Sequence, residues 1–277
     1  MTAQGTQLRV QHCTEYRYPL EAKDSFNELW VSPVDSATQS LQAFQLQVDP
    51  EVMVRSRDDY FGNRVHYFHV ATSHRLLRIA SRAEVLTFPA AEPRAVEVAS
   101  LEPLRPRFFE FLAPTRRIPL QGDWAALLGF PLPGMRDDLL SYLLAAAHHL
   151  HARFTYRVGA TSVDTPLQDF IASGQGVCQD FAQAMLALLR QARLPARYVS
   201  GYLATGVGAE GSHAWIEAFF PGTGWVGIDP TNDCPAGISH VKVAHGRDYD
   251  DCPPLRGVRL GGGMEQLSVE VRVEVGP

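Results

Sequence analysis

The first hundred residues alternate between apolar and polar positions with a period of two. Leu8 and Val10 are separated by polar neighbours, and Tyr16 and Tyr18 follow with the same spacing before Pro19. Phe44-Gln45-Leu46-Gln47-Val48 and Val52-Met53-Val54 repeat the pattern. Successive side chains of a strand leave opposite faces, so this is the signature of half-buried strands. Phe61-Gly62-Asn63-Arg64 reads as a turn into a strand over Val65–Val70, and another strand runs near Leu77 to Phe88. Short strands separated by turns predict an antiparallel β-sandwich or a related sheet. The same period returns at the far end, in Leu267, Val269, Val271, Val273 and Val275. Met264–Val275 is therefore expected to return to the N-terminal sheet as an edge or closing strand.

From Arg136 the period lengthens to that of a helix. Asp137 and Asp138 suit a first turn, and Leu140, Leu143, Leu144, Ala147 and Leu150 form one stripe. A short helix is expected around Pro166–Ala172. The clearest stripe follows Gly174-Gln175-Gly176-Val177-Cys178, with Phe181, Met185, Leu188, Leu189 and Ala192 at helical spacing. Pro195 stops that helix. Strands are then expected over Ala196–Ala204, Ser212–Phe220 and Trp225–Asp229. Between the two regimes, Pro89–Met135 holds eight of the nineteen prolines, which excludes long regular structure and leaves short helices such as one near Phe108–Leu112. The chain thus divides into an N-terminal antiparallel β-domain (1–100), a Pro-rich connector (101–135), an α+β core (136–235) and a C-terminal extension (236–277).

Composition removes several function classes. The 277 residues are 45% hydrophobic and 20% charged, as in an ordinary globular protein. A net charge of −5, without a basic run or an aromatic platform, argues against a nucleic-acid partner. No apolar run is long enough to cross a bilayer, and Met1–Val10 lacks the apolar core of a signal peptide, so no membrane association and a cytoplasmic location are expected. Cys13, Cys178, Cys234 and Cys252 show no metal-binding spacing. His148, His149 and His151 are the nearest approach to a metal cluster and suit a helix C-terminus better. No metal and no cofactor are expected.

Candidate chemistry centres on Cys178. As a first helical residue it would feel the positive end of the helix dipole and the unpaired N–H groups of the first turn, which favour the thiolate. An isolated cysteine is more often a small core residue. Downstream, however, His213 opens Ser212-His213-Ala214-Trp215-Ile216-Glu217, and Asp229 closes Gly224-Trp225-Val226-Gly227-Ile228-Asp229. A Cys, a His and an Asp in successive segments form the constellation of a base-activated thiol. Pro221-Gly222-Thr223-Gly224 is a turn, so the two flanking strands should form a hairpin. If Phe220 pairs with Trp225, Asp229 points away from His213. If Phe219 pairs with Trp225, Asp229 opposes Trp215 and becomes the diagonal neighbour of His213, within reach. A triad requires the second register, a three-residue loop or a bulge. Glu217 reads as a buried ion-pair partner. Trp215 and Trp225 flank the His and Asp motifs and could line a substrate cleft, or simply fill the core.

Gly-x-Gly-Val-Cys-Gln-Asp-Phe, Ser-His-Ala-Trp-Ile-Glu and Gly-Trp-Val-Gly-Ile-Asp-Pro-Thr-Asn, in that order, resemble the core of the bacterial transglutaminase-like superfamily from Asp138 to Asn232. The N-terminal strands, with Glu15-Tyr16-Arg17-Tyr18 and Asn27-Glu28-Leu29, resemble the β-domain that precedes that core. The tail, from Gly246-Arg247-Asp248 to Gly261-Gly262-Gly263, resembles the family's C-terminal extension. The resemblance implies a papain-like α+β core in which Cys178 is the nucleophile, His213 the base and then acid, and Asp229 the group that orients the imidazole. It also implies a second oxyanion donor besides the Cys178 N–H, for which Tyr156 and Gln175 are the candidates, with core packing the alternative for Tyr156. The expected activity is hydrolysis of peptide or amide bonds in a peptide or protein substrate. The alternatives are a protein-glutamine transglutaminase and a non-catalytic module that holds a peptide in the same cleft.

Overall fold

The computed structural model describes residues 5–119 and 121–276. The first run of the chain gives five strands: β1 (Thr6–Leu29), β2 (Gln39–Asp49), β3 (Arg55–Asp58), β4 (Arg64–Val70) and β5 (His74–Thr87). They lie in the order β2-β5-β1-β4-β3, all antiparallel. β1 is long enough to serve two sets of neighbours. Thr6–Arg17 pairs with β5 and Ser25–Leu29 with β4, with an irregularity between Arg17 and Ala22. Pro19 falls in that interruption, where it has no ladder N–H to withhold. Along β5 the burial alternates through Leu77, Ile79, Ser81, Ala83 and Val85, as the sequence period requires.

The proline-rich stretch carries a 3₁₀ segment (Val98–Phe108) and two short helices, α1 (Phe109–Leu112) and α2 (Trp124–Leu128). α3 (Leu139–Arg153) starts at Asp138, whose carboxylate accepts the Ser141 N–H at 2.9 Å, an N-cap that satisfies one orphan donor. Then come β6 (Thr155–Tyr156), α4 (Leu167–Ser173), β7 (Gln175–Gly176) and α5 (Cys178–Gln191). α5 packs against α2, α3, α4 and the strands that follow it. Every residue from Cys178 to Arg190 is buried, so the apolar stripe marks only part of what is covered. The other positions are small, such as Ala182, Ala184 and Ala187, or hydrogen-bonded. The Arg190 guanidinium, for example, donates to the Phe111 carbonyl at 3.2 Å and to that of Arg247.

β8 (Ala196–Leu203), β9 (His213–Phe220), β10 (Gly224–Asp229), β11 (Cys234–Pro235) and β12 (His240–Gly246) form a second antiparallel sheet in the order β11-β10-β9-β8-β12. Its fifth strand comes from the segment that the sequence pattern assigned to a C-terminal extension. β12 alternates over only four positions, His240-Val241-Lys242-Val243, and is covered on both faces, so the pattern is too short to mark it. The core sheet therefore runs to Gly246 rather than ending at residue 235. β13 (Leu255–Gly261) and β14 (Gln266–Val275) then return to the first sheet. They pair with the second and first parts of β1 respectively, which makes that sheet seven-stranded. The closing strand expected from the valine alternation is β14. Leu8, Val10, Val85 and Val271 belong to the same hydrophobic core as α5, and the first sheet meets the second directly, through β5 against β12 and the His12–Tyr202 hydrogen bond. The architecture is α+β: an antiparallel N-terminal sheet followed by a helix-then-sheet core. Among the described residues, no helix is long and apolar enough to cross a membrane.

Candidate active site

Cys178 is the first residue of α5, and two local features place it there. Gly176 leaves no room for a side chain: a Cβ would meet the Phe170 ring at 2.5 Å and the Asp180 carboxylate at 2.6 Å. The Asp180 carboxylate closes the first turn by accepting the Val177 N–H at 2.8 Å and the Thr161 hydroxyl at 2.6 Å. The thiol consequently meets the floor of a cleft of about 350 Å³, lined among others by Tyr156, Val163, His213, Tyr249 and Val269. Val269 belongs to β14, so the first sheet contributes one wall of the cleft.

The hairpin settles the register that the sequence left open. Trp225 pairs with Phe219 and Ile228 with Ile216, which puts Asp229 opposite Trp215 and diagonal to His213. His213 Nε2 lies 2.7 Å from Asp229 Oδ2, with both side chains fully buried. His213 Nδ1 is buried too and has no hydrogen-bond partner. With Nε2 taken by Asp229, Cys178 is the other group close enough to act on this ring. Burial opposes a charge on this imidazole, but the bond to Asp229 and the neighbouring Cys178 outweigh it and raise the pKa to about 10. Burial likewise penalises the Asp229 carboxylate, yet its donors hold the pKa well below the usual carboxylate range.

Asp229 is enclosed by donors. The backbone N–H groups of Thr231 and Asn232 reach Oδ1 at 2.9 and 3.2 Å, and Asn232 Nδ2 reaches Oδ2 at 2.9 Å. His240 Nε2 lies 3.1 Å from the same Oδ2. Asn232 also brackets Val207, with Oδ1 accepting its N–H at 2.8 Å and Nδ2 donating to its carbonyl at 3.2 Å. That ties the Gly206–Gly211 loop to Asp229 through Asn232. At Gly208, φ is +93°, in the left-handed region, and a Cβ would come within 2.7 Å of His213 Nδ1, so a glycine is required where the loop covers the imidazole.

The remaining sequence candidates separate. Tyr156 lines the cleft, opposite Gly176 in the β6–β7 pair. Burial, with Cys178 and Glu210 nearby, pushes its hydroxyl up to about 12, which keeps it a donor. Gln175 accepts from Arg157 Nη1 at 3.1 Å and is not part of the cleft lining. Neither tryptophan lines it. Trp215 is buried beside the two imidazoles, 6.1 Å from the His213 ring and 5.2 Å from that of His240. Trp225 packs in an aromatic cluster with Phe108, Phe111 and Phe219, under the Arg197 guanidinium. Glu217 is the ion-pair partner expected, 2.6 Å from Arg197 and 2.7 Å from Lys242.

His148, His149 and His151 do not converge. Their ring nitrogens go to Asp233, the Leu128 carbonyl and the Thr231 carbonyl respectively. The ligand-type atoms of His213, Asp229 and His240 do lie within 4.8 Å of one another. However, they meet as hydrogen bonds on a single carboxylate oxygen. Sequence reasoning missed His240, Asn232 and the cleft residues Tyr249, Pro254 and Val269. Asn232 was visible as the end of Asp-Pro-Thr-Asn, whereas His240 carried no local signal.

Two family models match the chain: the transglutaminase-like superfamily over residues 133–230, and the bacterial transglutaminase-like N-terminal region over residues 8–86. An uncharacterized protein of Mycobacterium tuberculosis is 34% identical over 97% of this chain and 92% of its own length. One of Mycobacterium leprae is 34% identical over 96% of this chain and 98% of its own. A protein-glutamine gamma-glutamyltransferase of Pseudomonas aeruginosa is 34% identical, but over only 34% of this chain and 15% of its own length. In fold, the chain is similar to a crystal structure from Cytophaga hutchinsonii described as a "Putative Cysteine Protease", with a TM-score of 0.79 at 23% identity, over 98% of this chain and 91% of that one. With its core motifs, its N-terminal sheet and its full-length relatives in agreement, the chain belongs to the bacterial transglutaminase-like superfamily.

Proposed function

We propose that the protein is a cysteine-dependent acyl-transfer enzyme that hydrolyses peptide or amide bonds in a peptide or protein substrate. The observation that carries this reading is the orientation of His213, whose Nε2 is held by Asp229 while its Nδ1 is left free beside the Cys178 thiol. Nδ1 takes the thiol proton, the sulfur attacks the carbonyl carbon, and the imidazolium returns that proton to the leaving nitrogen. A water then gives its proton to the imidazole and attacks the thioester, releasing the acid and the thiol. The Cys178 N–H, unpaired at the helix start, and the Tyr156 hydroxyl are the donors we assign to the tetrahedral oxyanion.

Hydrolysis is favoured over amine transfer by the cleft walls. Transfer needs an aromatic-lined channel that holds an amine and excludes water. Both tryptophans that could have built one lie elsewhere; three tyrosines, Tyr156, Tyr198 and Tyr249, do line the cleft, but exposed Val158, Val163 and Glu210 border it and leave it open to water. A peptide-library cleavage screen read by mass spectrometry, with Cys178→Ala as the blank, tests the activity. Adding a primary amine in large excess tests the partition. Acid product is expected. Predominantly amide product, lost in Cys178→Ala, would make the protein a transglutaminase instead.

A further inference from the structure

The carboxylate that orients His213 is held by a second imidazole, on a strand beyond the residues matched by the core family model. His240 opens β12, its side chain is buried, and Nε2 lies 3.1 Å from Asp229 Oδ2. Its protonation state follows from its other nitrogen. The Gly237 backbone N–H points at His240 Nδ1 at 3.1 Å, so Nδ1 accepts and the ring proton sits on Nε2. His240 is thus held as a neutral imidazole that donates to Asp229. With its Nε2 lone pair taken up by that proton, it has none for a metal ion.

Three donors therefore converge on Oδ2: His213 at 2.7 Å, Asn232 at 2.9 Å and His240 at 3.1 Å. Trp215 packs against both imidazole rings, which fixes their planes. Two consequences follow. The carboxylate has no direction in which to rotate. Its charge is also divided, so that His213 receives only a share of it. An imidazolium held by an undivided carboxylate would keep its proton too firmly to give it to a leaving nitrogen, since proton transfer works best when the acid is not much weaker than the task requires.

We propose that His240 is a positioning residue for the acyl transfer, a neutral second donor that aims Asp229 and limits how tightly the carboxylate holds the proton of His213. This rests on the acyl-transfer reading of the site. The titratable groups facing His213 are Cys178 from α5, Asp229 from β10, and Tyr156 across the cleft, with Glu210 beyond it. Those facing Asp229 are the two imidazoles, with Cys234 and Asp233 nearby. Among these groups, His240 combines a buried side chain with a fixed neutral tautomer.

The test compares His240→Gln, whose amide N–H can replace the Nε2 donor, with His240→Asn, which is too short to reach, and His240→Phe, which keeps volume alone. Turnover is read across pH, and iodoacetamide alkylation of Cys178 is read across the same range, because it reports the Cys–His pair without any substrate. His240→Asn and His240→Phe should lower kcat by about 10–100-fold with little change in KM, the usual cost of losing a residue behind a functional group. Their alkaline limb should move to higher pH, in turnover and in alkylation, because Asp229 is left to His213 and Asn232. His240→Gln should restore both. Wild-type rates in a folded His240→Asn, an alkaline limb that moves down, or a His240→Gln as impaired as His240→Phe would each overturn the proposal. Should the wild type turn over no substrate, the acyl-transfer reading fails, and the alkylation profiles still decide whether His240 tunes the pair.

Discussion

Two carboxylates on the same sheet, Asp229 buried and Glu217 mostly so, have partners of different kinds. Glu217 on β9 sits between Arg197 of β8 and Lys242 of β12. Asp229 on β10 sits between His213 of β9 and His240 of β12. In both, burial opposes the charge and cationic or donor partners overcome it, so both pKa values fall below the ordinary range. The partners make the difference. Arg and Lys hold their protons throughout the neutral range and turn Glu217 into a fixed tie across the sheet. Imidazoles exchange protons, which leaves Asp229 the anchor of a group that can cycle. β12 supplies one partner to each, from His240 and Lys242, two residues apart. A sheet can therefore place a structural ion pair and a chemical one side by side, and only the side-chain type decides which is which.

Neutralising each carboxylate in turn should separate them most sharply. Asp229→Asn should lower kcat by on the order of 10³–10⁴-fold while the melting temperature changes little, because the amide neither stabilises the imidazolium nor fixes its tautomer. Enzyme assays beside thermal denaturation check this. A folded Asp229→Asn with wild-type rates would remove the distinction altogether. Glu217→Ala should do the reverse. Leaving Arg197 and Lys242 buried without a counter-charge costs about 3–5 kcal/mol of stability, measurable by denaturant unfolding, and the folded fraction should keep its activity.

The pH dependence sharpens the contrast further. A raised His213 pKa means that the imidazolium persists to about 10, so activity should hold on the alkaline side and fall as pH passes that value. Asp229→Asn removes the partner that raises it, and the alkaline limb should move down. Glu217→Gln should leave that limb in place. An unmoved limb in Asp229→Asn would show that the carboxylate does not govern the imidazole.

A smaller effect concerns the thiols. Cys178 should alkylate at least about tenfold faster than the other cysteines below neutral pH, since reactivity follows thiolate character and access. Burial pushes the Cys234 thiol up to about 11 and that of Cys252 well above its ordinary value, so Cys252 should react only on unfolding. Peptide mass spectrometry after timed iodoacetamide treatment reads this. One common rate for all four would favour the peptide-holding module over an enzyme.

The period-two and helical patterns carried most of the architecture, because they report which face of an element is buried. β1, β5, α3, α5 and β14 were all legible in that way. Cys178, His213 and Asp229 were legible as three motifs in order, but their meeting was not. Whether Asp229 points at His213 depends on whether Trp225 faces Phe219 or Phe220, and a slip of one residue turns every side chain to the other face. The turn sequence tolerates either; the packed sheet selects one. β12 was not legible for another reason. Its alternation lasts only from His240 to Val243, and His240 and Lys242 acquire their partners, Asp229 and Glu217, from elsewhere in the chain. What the sequence determined by itself was each element's type and the chemistry available on it. What only the tertiary structure decided was which side chains meet, since register and strand order are set by packing between distant segments rather than by anything within one of them.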